Sequence, residues 1–450
     1  MSFLIVIVSQ HCELFFSRYI RLHQRIANFI MSDVSGREAH SKKYDRGPFA
    51  MMNGKKVVLG VTGGIAAYKA AELTRELGRR GASVKVVMTK NATEFITPLT
   101  MQTLSENPVY LEMFSLAKDF DIAHIALAEY ANIIVIAPAT ANVIGKIASG
   151  IADDLLTTVV MATQAPVLIC PAMNVNMMNN AVVKENIDRL RARGYYCMDP
   201  DYGPLACKVD GVGRLPDVTA IADEIESILT VKDFAGEVVL VTAGPTREPF
   251  DPVRYITNYS SGKMGYALAQ SALKRGARVV LISGPSALPV PRGVEFIAVS
   301  SAIEMRDAVM AYVENATVII KAAAVADYRP ALRSEQKIKK KEGPLLIALE
   351  RNPDIIGEIG KLKGDRILVG FAMESHNLVE NARNKLVEKN MDFIVANDLN
   401  QAGAGFQHDT NIVKILYRDG TVEDYPLMGK SAVADLVLDI VKGIINSRGH

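Results

Sequence analysis

The sequence predicts an α/β protein of two domains, each built on an open, mainly parallel sheet with flanking helices. Three observations carry this expectation. The stretch "KKVVLGVTGGIAAYKAAEL", residues 55–73, passes from an apolar strand pattern through Thr62-Gly63-Gly64 into a helical pattern, and "GASVKVVMT" follows as a second strand. The same order returns at "EVVLVTAGP", "KMGYALAQSALKRG" and "ARVVLISGP". Finally, 450 residues, 49% of them apolar, suffice to bury two ordinary cores.

Taken in chain order, residues 56–61 read as a strand, Gly60 to Gly64 as a turn, and Ile65 to Arg80 as a helix with Leu73 and Leu77 on one face. A strand after Gly81 completes a βαβ unit. "ANIIVIAPAT" and "APVLICPAMN" supply further buried strands, as do "ATVIIKAAA", "RILVGFAME", "MDFIVAND" and "NIVKILY" in the second half. The second unit begins near residue 236 with "ILTVKDFAGE" as the joint, which divides the chain into domains at 53–230 and 233–450. Such sheets are flavodoxin-like or Rossmann-like and bind ligands at the carboxyl ends of their strands. Residues 1–52 stand apart. "MSFLIVIVSQ" is too short to span a bilayer, the basic residues follow it, and no small-residue cleavage site is evident. The segment reads as a disordered extension or an upstream start, with a membrane-surface anchor as the alternative.

A net charge of +2 with both signs interspersed argues against a nucleic-acid partner, and the lack of a long apolar run against a membrane one. The four cysteines, Cys12, Cys170, Cys197 and Cys207, form no CxxC pair and have too few neighbouring histidines for a zinc site. They read as reduced thiols of a cytoplasmic protein without disulfides.

The Gly60-x-Thr62-Gly63-Gly64 turn offers backbone N–H groups and a helix N-terminus to an anion. A dinucleotide site wants G-x-G-x-x-G and an acid about twenty residues on. Here the second strand ends Met88-Thr89-Lys90, with no acid. A mononucleotide such as FMN therefore fits better than NAD, with a plain tight turn as the bland alternative.

The segments "VTGGIAAYK", "VMTKNATEFITP", "HIALAEYANIIVIAPATAN", "PAMNVNMM" and "ACKVDGVGR" resemble, in that order, the flavin-dependent decarboxylases of peptidyl-cysteine type substrates. "TAGPTREPFDPVRYITNYSSGKMG", "KAAAVADYRP", "KIKK", "RNPDI" and "GFAMES" resemble phosphopantothenate-cysteine ligase. Together, from residue 55 to near residue 440, they resemble the bacterial bifunctional enzymes of coenzyme A synthesis that fuse this ligase to phosphopantothenoylcysteine decarboxylase. The resemblance implies FMN against Thr62, Gly63, Gly64, Ile65, Thr89 and the run Pro138, Ala139, Thr140, Ala141 and Asn142. The second glycine is usually serine in that family, and its "PASANT" motif ends in threonine. Gly64 and Val143 thus remove two hydroxyls as phosphate partners, and more reliance on backbone donors is expected.

Decarboxylating the cysteine end of phosphopantothenoylcysteine leaves a carbanion with nothing nearby to accept its charge. Oxidising the thiol to a thioaldehyde supplies a sink, and the enethiolate left after CO2 departs is protonated and reduced again, with no net redox change. Such a cycle needs a base and an acid. His124 in "FDIAHIALAEYAN", the only histidine between residues 41 and 375, is placed by the resemblance as the base. Asn174 and Met177 match the family's carboxylate-binding motif, where an amide holds the carboxylate without a fixed charge that would stabilise the ground state. The family's tryptophan after Met177 is Met178 here. Cys207, among Gly203, Gly211 and Gly213, matches the proton donor on a flexible flap. Without the resemblance, His124 would pass for a helix-face residue and Cys207 for a structural thiol.

"SSGKMG" fails as a P-loop, because Thr257 and Met264 stand where Gly and Ser or Thr are required. The resemblance implies a CTP site with Mg2+ instead, at which 4'-phosphopantothenate forms an acyl-cytidylate and L-cysteine displaces CMP. It carries over Lys337 of "EQKIKKKEGP" as catalytic lysine, and Asn258 and Arg254 near the acyl-cytidylate. Lys321, Ala322, Ala323 and Asp327 fall to the nucleotide, with Asn352, Pro353, Asp354, Ile355, Phe371, Lys385 and Lys389 for CTP. Metal ligands are not assigned. As a bare pattern, "KIKKK" is a solvated charge run. The family further implies a homo-oligomer of trimeric decarboxylase domains, with FMN at a subunit interface, and dimeric ligase domains, combining into a dodecamer. A flavin- and nucleotide-binding module without catalysis is the rival reading, and it would not need His124 together with Cys207. An NAD-dependent oxidoreductase is disfavoured by the missing acid.

Overall fold

The computed structural model describes residues 52–114, 122–204, 210–339, 344–374, 377–398 and 408–448. Residues 1–51, which hold Cys12 and all but the last residue of the expected extension, lie outside the described residues, as does Cys207.

The first sheet is wholly parallel. Its strands are β1 Lys56–Val61, β2 Ser83–Met88, β3 Val109–Tyr110, β4 Ile133–Ala139, β5 Val167–Pro171 and β6 Tyr196–Cys197, in the spatial order β3-β2-β1-β4-β5-β6. Strands covered on both faces need continuous apolar runs, and β4 is buried at every position. After β1 the chain differs in detail from the sequence reading. Gly60 still belongs to the strand, where the Leu156 side chain occupies the place of its missing Cβ. The helix splits into a 3-10 turn, Ile65–Ala67, and an α-helix, Tyr68–Arg79, whose Leu73 and Leu77 are buried as their spacing requires. Met52, the last residue of the expected extension, is fully buried in this core. A hairpin of β7 Asp201–Pro204 and β8 Asp210–Arg214 follows.

The short pair β10 Arg247–Pro249 and β11 Tyr255–Thr257 follows the first strand of the second sheet, β9 Val238–Ala243. The sheet continues with β12 Arg278–Ser283, β13 Glu295–Ala298 and β14 Val318–Lys321. After another short pair, β15 Tyr328–Pro330 and β16 Leu349–Arg351, come β17 Ile367–Glu374 and β18 Phe393–Asp398. These six sheet strands are parallel and ordered β13-β12-β9-β14-β17-β18. β19 Thr410–Asn411 later pairs with β22 Met428–Gly429, while β20 Val413–Tyr417 and β21 Val422–Asp424 extend the sheet antiparallel.

Counted along the parallel strands alone, both sheets have the order 3-2-1-4-5-6. Each winds outward from a central pair, β1 with β4 and β9 with β14. At that pair the connections leave in opposite directions, which opens a crevice at the carboxyl ends.

The helix Val218–Leu229 links the two sheets through buried charge. Its Glu226 receives Arg80 Nη1 at 2.9 Å from the first half and Lys274 Nζ at 2.6 Å from the second. Asp223 on the same helix takes Arg80 at 2.8 Å. Burial alone would lower the Arg80 guanidinium, but Glu226, Asp223 and Glu76 raise it above its ordinary range. Alongside, Arg275 pairs with Asp233 and Asp439 and lies over the ring of buried Phe234. Glu226→Gln removes the shared carboxylate while Arg80 keeps Asp223 and Glu76. Unfolding free energy should fall by about 3 kcal/mol, the lower end for breaking a buried pair, in chemical denaturation. A loss under about 0.5 kcal/mol, the scale of an exposed pair, would show that the network contributes nothing at the joint.

Candidate active sites

The first crevice lies between the ends of β1 and β4. Thr62, fully buried, donates its hydroxyl to the Pro138 carbonyl at 2.7 Å and accepts the Thr140 N–H at 3.1 Å. The hydroxyl is thereby committed to fastening the two strand ends. Gly64 is extended (φ −153°) and no side chain caps the 3-10 turn after it, which leaves the first N–H groups of that turn to a ligand or water. A Cβ at Gly63 would come within 2.4 Å of the Asn91 Cβ, whereas one at Gly64 would meet only Thr140 Cγ2 at 3.6 Å. Serine would fit at 64, and glycine leaves that place open.

Thr140 caps the helix Ala141–Ser149, accepting the Val143 N–H at 3.5 Å, so Ala141 and Asn142 form a second helix N-terminus at this edge. Val143 corrects the sequence reading. It is 2% exposed among core side chains, so the absent hydroxyl there bears on packing and not on a phosphate.

Of the polar side-chain atoms buried without a hydrogen-bond partner among the described residues, two belong to the first half, Thr89 Oγ1 after β2 and His124 Nδ1. Such atoms are uncommon and mark room for a ligand. His124 opens the helix Ala123–Tyr130, which leads into β4 and, as a crossover helix, runs antiparallel to the strands. Its start therefore stands at their carboxyl edge. Asn174 follows β5 at the same edge as N-cap of the helix Val175–Asn179, its Oδ1 accepting the Asn176 N–H at 2.8 Å, and Met177 is 48% exposed. The hairpin whose strands bracket position 207 packs on this turn. Met173 N–H donates to the Gly213 carbonyl at 2.9 Å, and a Cβ at Gly213 (φ +152°) would stand 2.2 Å from Met173 O. Only glycine permits that approach. Cys170 is fully buried with its thiol pushed up by burial, and burial pushes Cys197 up to about 11, so both read as structural.

The second crevice lies between β9 and β14. Ala323 N–H donates to Thr242 Oγ1, and Ala322 N–H to the Thr242 carbonyl, both at 3.2 Å, a counterpart of the Thr62 contact. Asn258, Lys321, Ala322, Ala323 and Phe371 line the crevice, and Asn258 Nδ2 donates to the Ala324 carbonyl at 2.9 Å. Lys321 also lines an adjoining hollow with Asp327, Asn352, Pro353, Asp354 and Ile355. Burial lowers its ammonium below the usual lysine range, while Asp354 and Asp327 pull it back up. Lys389, at the end of the helix Leu378–Glu388, pairs with Asp354 at 2.6 Å and Glu388 at 2.5 Å, and Lys385 is exposed on that helix.

Arg254 and Lys337 are not brought to either lining. Arg254 grips buried Asp251 with Nε at 2.9 Å and Nη2 at 2.6 Å, and donates to the Ile338 carbonyl at 2.9 Å. Burial would raise the Asp251 carboxyl, but Arg254 and the N–H groups of Val253, Arg254 and Ile338 hold it well below the usual carboxylate range. The backbone beside Lys337 is fixed by this lock while its side chain stays exposed. Sequence reasoning missed Lys263, Asn397, Asn411 and Lys430, all of which line the second crevice. Lys263 stood in "SSGKMG" and Asn397 at the end of "MDFIVAND", whereas Asn411 and Lys430 reach the crevice only through the fold. Among the described residues no three His, Cys, Asp or Glu side chains converge as a metal site, and no helix is long and apolar enough to cross a membrane.

Two doubly wound halves, each with a crevice at the reversal of strand order, define a protein of the parallel-sheet α/β class. Residues 48–230 match the family model described as Flavoprotein, and residues 234–444 that described as DNA/pantothenate metabolism flavoprotein C-terminal domain. The chain is 47% identical over 404 residues to the coenzyme A biosynthesis bifunctional protein CoaBC of Bacillus subtilis, covering 89% of this chain and 100% of that one. It is 47% identical over 391 residues to the Vibrio cholerae protein of the same name, covering 86% and 98%. The chain belongs to this family of coenzyme A biosynthesis bifunctional proteins. Among solved structures it is similar to the C-terminal domain of such a protein, at 42% identity over 48% of this chain and 99% of that one, with a TM-score of 0.42.

Thr62→Val keeps the shape of the side chain but strands the Pro138 carbonyl and the Thr140 N–H. It should cost about 1–3 kcal/mol of unfolding free energy, with Thr62→Ser costing less. Equal stability of the valine variant would show that the strand ends are held by packing alone.

Proposed function

We propose that the chain joins 4'-phosphopantothenate to L-cysteine through an acyl-cytidylate made from CTP, then decarboxylates the 4'-phosphopantothenoylcysteine with FMN to give 4'-phosphopantetheine. The supporting observation is that both crevices sit at strand-order reversals in a chain that matches bifunctional relatives over nearly their whole length. Residues 53–230 form the decarboxylase domain and 233–450 the ligase domain. The enzyme works in the cytoplasm as a homo-oligomer of trimeric decarboxylase and dimeric ligase domains that combine into a dodecamer, and exposed apolar side chains such as Leu99, Phe114 and Ile122 are available to subunit contacts.

The residues present suit FMN. Gly64 opening onto a helical turn, the N-terminus at Ala141 and Asn142, and the unpartnered Thr89 hydroxyl are what a phosphate and a polar ring edge require. Gly63 and Ile65 complete the turn, and Thr62, Pro138, Ala139 and Thr140 hold the two strand ends in place. When bound, the flavin supplies oxidation of the substrate thiol and its reversal. His124 holds or removes the substrate proton, its unpartnered Nδ1 gaining a partner as the site fills. The Asn174 amide beside Met177 holds the carboxylate until it leaves, and Cys207 returns a proton.

In the ligase a carboxylate oxygen of 4'-phosphopantothenate bonds to the α-phosphorus of CTP, and pyrophosphate leaves with the electron pair of the broken bond. The cysteine amine then displaces CMP and gives up a proton. Lys321, desolvated between the two hollows, acts on developing phosphate charge more strongly than an exposed ammonium would. Ala322, Ala323, Asp327, Asn352 to Ile355, Phe371, Lys385 and Lys389 take the nucleotide. Asn258 and Arg254 serve the acyl-cytidylate, with Lys337 as the catalytic lysine. Mg2+ would be held by the CTP phosphates, since no His, Cys, Asp or Glu cluster converges among the described residues, and would offset their charge.

With 4'-phosphopantothenate, L-cysteine and CTP, the enzyme should release pyrophosphate, CMP and CO2 in equal amounts. Pyrophosphate without CO2 would remove the decarboxylase, and equal rates with ATP the cytidylate. His124→Asn should retain flavin absorbance while CO2 release slows about a hundredfold or more. An unchanged rate would take His124 out of the chemistry.

A further inference from the structure

Four side chains that line the second crevice, Lys263, Asn397, Asn411 and Lys430, have been given no role above. Lys430, first residue of the helix Lys430–Arg448, is 8% exposed and lines the crevice together with Lys263, first residue of the helix Lys263–Lys274. Burial brings the Lys430 ammonium down to about 8, Lys263 pushes the same way, and Asp409 pushes back. Asp409 pairs with Lys263 at 2.6 Å, and its backbone carbonyl accepts the Lys430 N–H at 2.9 Å. The Asp409 side chain is 87% exposed, so water screens that carboxylate far more than it screens the enclosed Lys430.

Two amides face the same space. Asn397 and Asn411, 6% and 2% exposed, line the crevice with Oδ1 atoms that have no hydrogen-bond partner among the described residues. Side-chain amides turn to present either oxygen or NH2, and a buried one left unpaired is uncommon in a filled site. The two helices pack side by side and bring their N-termini to this crevice, the first entered through Gly262 at φ +82°. Two ammonium groups, two helix N-termini and two adaptable amides together suit an anion with several charges and many oxygens.

We propose that Lys430, with Lys263, binds the β- and γ-phosphates of the nucleotide and then the pyrophosphate they leave as. This rests on the ligase reading, in which the bond between the α-phosphorus and the bridging oxygen breaks and the electron pair departs with pyrophosphate. A cation at the leaving end stabilises that charge as it develops.

The test uses the full-length, flavin-loaded enzyme at pH 7, following pyrophosphate release against CTP concentration and its inhibition by added inorganic pyrophosphate. Lys430→Met keeps the stem and removes the charge. It should raise KM for CTP and the inhibition constant of pyrophosphate by about tenfold or more each, the usual effect of losing a hydrogen bond to a charged group. Lys430→Arg should recover most of both, and CO2 release from supplied 4'-phosphopantothenoylcysteine should not change. An unaltered KM and inhibition constant in Lys430→Met overturns the proposal. If that variant loses CO2 release as well, and so its fold, Lys263→Met on the other helix carries the same expectation, and unchanged constants there overturn it. Failure of the ligase reading looks different, because wild-type enzyme would then release no pyrophosphate from CTP, and the proposal would fall with it.

Discussion

The contacts of Thr62 with Pro138 and Thr140 sit at the one place where the first sheet reverses its strand order. Two neighbouring strands whose connections leave in opposite directions have no crossover to hold their ends together. A buried side chain has to do so, and its hydrogen bonds are strong because no water competes for them. The position of the turn at residues 63–65 and of the helix start at Ala141 follows from that link. In the second sheet Thr242 joins the equivalent pair, which gives both crevices the same construction in spite of their different linings.

From this frame the chemistry divides by what each crevice leaves unsatisfied. The first presents helix starts and the unpaired atoms of Thr89 and His124. The second gathers lysines, one of them on β14 itself, and places carboxylates such as Asp354 where they hold Lys389. On the proposed function, the phosphate of a flavin mononucleotide and a cytidylyl group in transfer make those different demands. Glu226 keeps the two frames together by taking one cation from each.

Much of this was legible in the sequence because buried parallel strands have to be apolar throughout. The runs that became β1, β4, β9 and β14 could be read directly, and with them the loops at their ends. Side-chain direction was not legible. Val143 stands where the resembled motif ends in threonine, yet helix geometry turns it into the core. Thr62 reads as a ligand contact, yet its hydroxyl is committed to the fold. Lys430 lies more than a hundred residues from β14 in the chain, and no local pattern marks a lysine that only helix packing encloses. Glu226 reads as an ordinary helix-surface acid until Arg80 and Lys274 arrive from separate halves.

The central claim is that each half holds its ligand at its strand-order reversal. A structure of the full chain with FMN and a non-hydrolysable CTP analogue tests this directly. One phosphate should lie against residues 63–65 and 140–142, and the triphosphate between residues 260–263 and 321–324. Ligand density at the amino ends of the strands, or on an outer face of either sheet, would contradict it.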